Sequence, residues 1–187
     1  MVFDGNLGQA LDETNILFQQ AKLMGTEGAD QLQGNARGEI IEGFADNDRL
    51  YGALGNDVLV GGEGRDLLMG GGNNDVFRFD LLSDSYRTAT ENHTDRLMDY
   101  TAGDDTIDVS ALGFTRLGNG YNGTLDVVFN EAKNLTYLKS YEADASGARF
   151  ELSLVGDHSG YRNLDITFAE PLQEEVFQLV GVADFQV

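Results

Sequence analysis

Glycine recurs at positions 25, 34, 43, 52, 61 and 70, a nine-residue spacing without a slip. The blocks it opens are GTEGADQLQ, GNARGEIIE, GFADNDRLY, GALGNDVLV, GGEGRDLLM and GGGNNDVFR. Two further columns keep the same period. The sixth position reads Asp30, Glu39, Asp48, Asp57, Asp66, Asp75, all acidic, and the eighth reads Leu32, Ile41, Leu50, Leu59, Leu68, Phe77, all apolar. Glycine early in each block permits a tight turn with φ > 0, and a short β segment at positions seven to nine points its middle residue inward. Two blocks then make one coil, and stacked coils make an all-β, elongated, right-handed parallel β-roll.

Stacking sets blocks of like parity side by side, so the acidic column splits into a ladder of Asp30, Asp48 and Asp66 and a ladder of Glu39, Asp57 and Asp75. Carboxylates held about 5 Å apart by strand spacing repel one another unless a cation sits between them. Asp oxygens with turn carbonyls form the hard donor set of Ca²⁺. The blocks are identified with the RTX calcium-binding nonapeptide, G-G-x-G-x-D-x-U-x. Asp and Gly also make ordinary loops, but loops have no reason to keep a fixed period. The block GGEGRDLLM fits every position, whereas GNARGEIIE places Arg37 where Gly is expected and Glu39 where Asp is expected. We therefore expect about three to four ions. They fall between Asp48 and Asp66, between Asp57 and Asp75, between Asp30 and Asp48, and most weakly between Glu39 and Asp57. Glycine-rich turns lose much conformational entropy and bring little apolar area, so folding should be coupled to the ion.

Composition narrows the function classes. With 12 Lys+Arg against 32 Asp+Glu the net charge is −20, which excludes a nucleic-acid binder working through a general basic field. Any polyanion must be met locally. The chain has no Cys and two His, His93 and His158, so disulfides, thiolate catalysis and a His- or Cys-rich zinc centre are all out of reach. We expect neither a Sec-type signal, since Met1-Val2-Phe3-Asp4-Gly5 lacks a basic region followed by an apolar stretch, nor a membrane span.

Residues 1–24 read as a leader or inter-module linker, with a short amphipathic helix plausible over 9–24; 25–78 as the roll; and 79–187 as a β-rich cap continuous with it. Strands are expected over 125–130, 135–143, 149–156, 164–169 and 175–182. Eight of the twelve cations lie from Arg78 onward, often beside Tyr, as in Tyr137-Leu138-Lys139-Ser140-Tyr141. Such a mixture suits an anionic sugar chain, although ordinary ion pairing with the many acids is the plainer reading. There is no H-E-x-x-H, G-x-S-x-G or P-loop. Asp104, Asp105 and Asp108 read as a turn or one last calcium ligand set.

The segments after the repeats carry a more specific likeness. Leu82-Ser83-Asp84-Ser85-Tyr86-Arg87-Thr88, Asp105-Thr106-Ile107-Asp108-Val109-Ser110-Ala111-Leu112-Gly113-Phe114, Gly120-Tyr121-Asn122-Gly123-Thr124-Leu125 and Thr136-Tyr137-Leu138-Lys139-Ser140-Tyr141 resemble the R-module of secreted bacterial mannuronan C-5-epimerases. The likeness spans about residues 25–169. The Gly-Asp-Asp-Thr-Ile-Asp-Val-Ser stretch is also similar to the C-terminal domain of serralysin-type proteases. The epimerase resemblance implies a non-catalytic, calcium-loaded accessory module that tunes a separate catalytic module. That module's Asp-Pro-His-Glu signature is absent here, the only Pro being Pro171. It further implies sister modules in the same polypeptide, alginate or poly-mannuronate as a partner, and export by type I secretion through a C-terminal signal. The end, Ala183-Asp184-Phe185-Gln186-Val187, resembles such a signal apart from Gln186. Arg78, Arg87, Lys139 and Arg149 are the expected polysaccharide contacts. Two other readings stand beside this one: a structural module for folding and secretion that touches no sugar, and the RTX domain of a serralysin-type protease.

Overall fold

The computed structural model describes residues 20–160 and 164–170. Each nonapeptide contributes one strand, and strands of alternate blocks belong to opposite sheets. Odd-numbered β1 (Ala21–Met24), β3 (Glu39–Ala45), β5 (Val58–Glu63) and β7 (Val76–Arg78) form one sheet, continued by β11 (Thr106–Asp108) and β16 (Ile166–Thr167). The opposite sheet begins with β2 (Gln31–Gln33), β4 (Arg49–Leu54) and β6 (Leu67–Gly72). Pairing is parallel, with partners eighteen residues apart, such as Leu50 with Leu68 and Ile41 with Leu59. Two nine-residue blocks therefore make one coil.

The apolar column is the core. Ile41, Leu50, Leu59, Leu68 and Phe77 are buried, with Leu23 and Leu32 packed against them. Leu23 lies nine residues before Leu32, so the strand pattern starts one block earlier than the glycine register. Consequently Ala21–Met24, the end of the stretch read as linker or helix, is a strand paired with β3. The rest of that stretch, up to residue 19, lies outside the described residues, as does the strand expected over 175–182.

Beyond Phe77 both sheets continue without the glycine period. After an excursion through a 3₁₀ turn at Leu82–Asp84 and the short antiparallel pair β8 (Tyr86–Arg87) and β9 (Asn92–His93), the chain returns as β10 (Arg96–Leu97). It lies parallel to β6, in register with Leu67 and Leu68. The sheet then passes to β15 (Arg149–Val155), which pairs in parallel with β10, and turns antiparallel through β14 (Leu135–Lys139) and β13 (Thr124–Asn130). The short β12 (Arg116–Leu117) finishes it alongside β13. Aromatic packing fills the cap: Phe79 meets Phe150 edge-on at 5.9 Å, and Phe114 leans on Phe150 at 5.5 Å. This covers the apolar end that the last coil would otherwise expose.

Candidate calcium ladders and a cationic sheet face

The acidic column is wired into two hydrogen-bonded ladders. The backbone N–H of Asp30 donates to the Asp48 carboxylate at 2.7 Å, and that of Asp48 to Asp66 at 2.8 Å. On the other side Glu39 donates to Asp57 at 2.6 Å and Asp57 to Asp75 at 2.9 Å. Both ladders run one rung past the repeats. The Asp66 N–H donates to Asp95 at 2.7 Å and the Asp75 N–H to Asp105 at 3.0 Å.

These bonds occupy one oxygen of each accepting carboxylate and leave the other bare on all but Asp105, whose second oxygen accepts the Thr101 N–H at 2.8 Å. The second oxygens of Asp48, Asp57, Asp66, Asp75 and Asp95 are buried with no hydrogen-bond partner among the described residues. A buried, unpartnered carboxylate oxygen is costly, and five of them on two ladders call for a cation. The glycines leave the space: a Cβ at Gly43, Gly52, Gly61 or Gly70 would collide with the bare oxygen of Asp48, Asp57, Asp66 or Asp75. Among the described residues no three His, Cys, Asp or Glu side chains converge on one point. A cation between two rungs would meet carboxylates in pairs, with turn carbonyls left to complete its shell, a donor set that Ca²⁺ tolerates and zinc does not.

The first turns of the roll differ. The Asp30 carboxylate accepts from the Thr26 N–H at 2.6 Å and hydroxyl at 2.8 Å, while Glu39 takes the Asn35 N–H at 3.0 Å and its side-chain amide. Their own turns already satisfy them. Burial pushes the Asp66 carboxyl up to about 7 and the Asp75 carboxyl up to about 6, and it raises Asp48, Asp57 and Asp95 in the same direction. Without a counter-ion these groups hold protons far more readily than an exposed aspartate.

The cations expected to meet a polysaccharide do not share one surface. Arg78 leaves the odd-strand sheet and pairs with Asp80 at 3.1 Å. Arg87, Lys139 and Arg149 gather on the outer face of the other sheet, where Arg149 stands opposite Arg87 and Lys139 opposite Glu151. Glu151, buried, is the hub for two of them: it takes Lys139 at 3.2 Å and Arg87 at 3.5 Å, and it accepts the Thr94 hydroxyl at 3.3 Å. Lys139 also lies over the Tyr137 ring, 4.4 Å from its centroid.

Two family descriptions match the chain. "RTX calcium-binding nonapeptide repeat (4 copies)" covers residues 24–59, and "Peptidase M10 serralysin C terminal" covers residues 43–167. From Azotobacter vinelandii, the mannuronan C5-epimerase AlgE1 is 62% identical over 86% of this chain and 12% of its own length. Alginate lyase 7 of the same organism is 51% identical over 90% of this chain and 21% of its own length. The chain thus spans about a fifth or less of these curated relatives. Among solved structures, the solution structure of the AlgE6R2 subunit of the A. vinelandii mannuronan C5-epimerase superposes with a TM-score of 0.69 at 47% identity, covering 83% of this chain and 96% of that one. This chain belongs to the family of mannuronan C5-epimerase R-modules. Its repeats bind calcium.

In this R-module the rungs at Asp95 and Asp105 are the acids that the nine-residue period misses. Asp84, nine residues after Asp75, is the one the period nominates. It serves the 3₁₀ turn instead, one oxygen accepting the N–H groups of Asp80 and Leu81, each at 2.8 Å. The signal that marks the true rungs is local: Asp95-Arg96-Leu97 and Asp105-Thr106-Ile107 repeat the acid-x-apolar triplet of positions six to eight without the glycine register.

Proposed function

We propose that this R-module is a non-catalytic, calcium-ordered accessory unit that holds an anionic uronate polymer beside a catalytic module of the same polypeptide. The observation that carries the reading is that the same unit, at 62% and 51% identity, belongs to one protein named for epimerising mannuronan and to another named as an alginate lyase. Two different reactions share this piece and a polymer, so the piece serves the polymer rather than the bond chemistry. A chain of net charge −20 that nevertheless gathers Arg87, Lys139 and Arg149 on one sheet face supports the same reading. In contrast, the cleft between the calcium turns and the cap is lined by Asp46, Glu63, Glu91 and Asp144 beside the stacked Tyr86 and His93 rings, with no Lys or Arg, and would repel a polyanion.

Three ions fit the ladders best in this proposal, between Asp48 and Asp66, Asp66 and Asp95, and Asp57 and Asp75, whereas at Asp105 both oxygens are already taken by the N–H groups of Asp75 and Thr101. Asp30 and Glu39 are weaker candidates, because Thr26 and Asn35 already occupy their oxygens. The deciding experiment is a calorimetric titration of the calcium-loaded chain with mannuronate oligomers at low salt and at about 0.3 M, where screening weakens ionic contacts. Saturable, salt-sensitive binding is expected. The absence of binding at millimolar sugar would leave the second reading, a module for folding during type I export to the extracellular medium. The five bare, buried carboxylate oxygens support that second reading, because they make folding wait for the ion.

A further inference from the structure

Registers across the ten-stranded sheet set Gln31, Arg49, Leu67, Arg96, Ser153, Tyr137 and Val128 in one row. Their neighbours Leu32, Leu50, Leu68, Leu97 and Leu154 face the core, so this row faces outward. Beside it, two residues further along the strands, Tyr51 and Met69 stand exposed on adjacent strands. The row crosses the strands, so it runs along the axis of the roll with one side chain about every 4.8 Å.

Within the row Arg96 is distinctive. Its Nε is buried without a hydrogen-bond partner, and among the described residues its guanidinium forms no ion pair. Arg87 and Lys139, by contrast, are spent on Glu151. A desolvated guanidinium edge with no acceptor is an incomplete hydrogen-bonding group, and the planar carboxylate is the acceptor that its fork matches best. Its flanks suit an extended chain of such groups. Arg49 lies two strands away on one side and Tyr137 two strands away on the other, with the Tyr51 and Met69 shelf alongside for apolar sugar faces.

We infer that Arg96 is the carboxylate anchor of an axial polyuronate-binding row, with Arg49 as the next charge and Tyr51 and Tyr137 as ring platforms. This rests on the accessory-binding reading above and names the residue through which that reading works. It also moves the centre of the site away from Arg87 and Lys139, whose charges are balanced locally by Glu151.

The test is NMR of the calcium-loaded chain, following the Arg96 side-chain Nε–Hε signal during titration with mannuronate hexamers, and in parallel with a glutamate hexapeptide. The Arg96 signal should shift saturably with the sugar and much less with the peptide. Arg96→Gln should raise the Kd about tenfold or more, Arg96→Lys should fall between, and Arg78→Gln, on the opposite sheet and paired with Asp80, should change it by less than about threefold. Oligomers that bind with the Arg96 signal unmoved and Arg96→Gln unaffected would overturn the anchor while sparing the accessory function. Failure of any oligomer to bind the folded, calcium-loaded chain would overturn both. Peptide binding as tight as the sugar would overturn the sugar assignment. Should the Gln variant fail to fold, the wild-type Nε–Hε shift still decides.

Discussion

The roll and the cap share the same two sheets and hold them together by different means. In the roll each coil brings only two core side chains, such as Leu50 and Leu59, and its turns bury carboxylates with bare oxygens. In the cap Phe79, Phe114 and Phe150 pack ring against ring, and Leu125, Leu138 and Leu152 fill the space around them. An aromatic side chain buries 150–250 Å², so a few residues here supply what the roll must obtain from an ion. The difference leads us to expect one continuous sheet to be ion-dependent at one end and self-sufficient at the other.

The largest effect follows directly from that contrast. Chelation should strip hydrogen-exchange protection from the roll, including the amides of Leu50, Leu59 and Leu68, while those of Leu138, Phe150 and Leu152 stay protected. Loss of both sets at the same free calcium would show a single cooperative unit and erase the distinction. Next in size is Asp66→Asn. Asp66 is shared between the rungs at Asp48 and Asp95, so its loss should remove two ions from the calcium stoichiometry, whereas Asp30→Asn should remove at most one. With the ions chelated, Asp66→Asn should instead raise stability, because the variant no longer buries a titrating carboxyl. Equal stoichiometries for the two variants, measured by calorimetry, would contradict the ladder.

Phe150→Ala probes the other end. It should cost about 3–5 kcal/mol in a calcium-loaded thermal or denaturant melt, the usual range for a buried aromatic in a close-packed core. The affinity of the sites around Asp57 should hardly change, since Phe150 packs on Phe79 and Phe114 rather than on the turns. A calcium affinity that falls in step with stability would mean that the cap's packing sets the ion sites.

Acidification separates the two ends by a smaller margin. The folded, ion-free Asp66 carboxyl titrates near 7 and Asp75 near 6, against an ordinary value of 3.8. Between about pH 4 and 7 the folded chain therefore holds protons that the unfolded chain has released, so chelated protein should gain stability as pH falls. Calcium must displace those protons, so the loaded protein should lose affinity over the same window, approaching tenfold per pH unit for each carboxyl displaced. Calcium isotherms at pH 5 and pH 7.5 test this, and superimposable curves would contradict the burial that raises these groups.

How far the sequence discloses these features depends on whether a side chain's role is periodic or local. The column that ends in Leu68 and Phe77 is legible because every coil repeats one geometry, and the same period gives the carboxylates up to Asp75. It fails at Asp84, where a 3₁₀ turn takes the carboxylate, and at Asp95, where a 29-residue step from Asp66 replaces the 18-residue one. An insertion destroys phase in the sequence without breaking the ladder in space. The linker-or-helix reading of 9–24 gives way at Ala21–Met24 for a related reason: Leu23 keeps the apolar phase, but no acid or glycine marks its block. The cationic face was the least legible. Whether Arg78 and Arg96 share a surface depends on which sheet each strand joins, and residue spacing does not carry that information.

The smallest effect concerns the roll's own backbone. The second residue of each well-formed turn adopts a left-handed conformation: Gly62 at φ 92° and Gly71 at φ 100° do so freely, but Phe44 at 84° and Ala53 at 85° do so against their Cβ atoms. Ala53→Gly should therefore stabilise the calcium-loaded chain by about 1 kcal/mol, a melting shift of about 2–4 °C at this size. Gly71→Ala should do the opposite and more, since the new Cβ would strike the Ala53 carbonyl on the adjacent coil. Phe44→Gly is the weaker gain, because the half-buried ring gives up packing as the strain is relieved. If Ala53→Gly lowered the melting temperature, the left-handed position would be doing less than its geometry implies, and the entropy of the ion-free chain would outweigh the strain in the folded one.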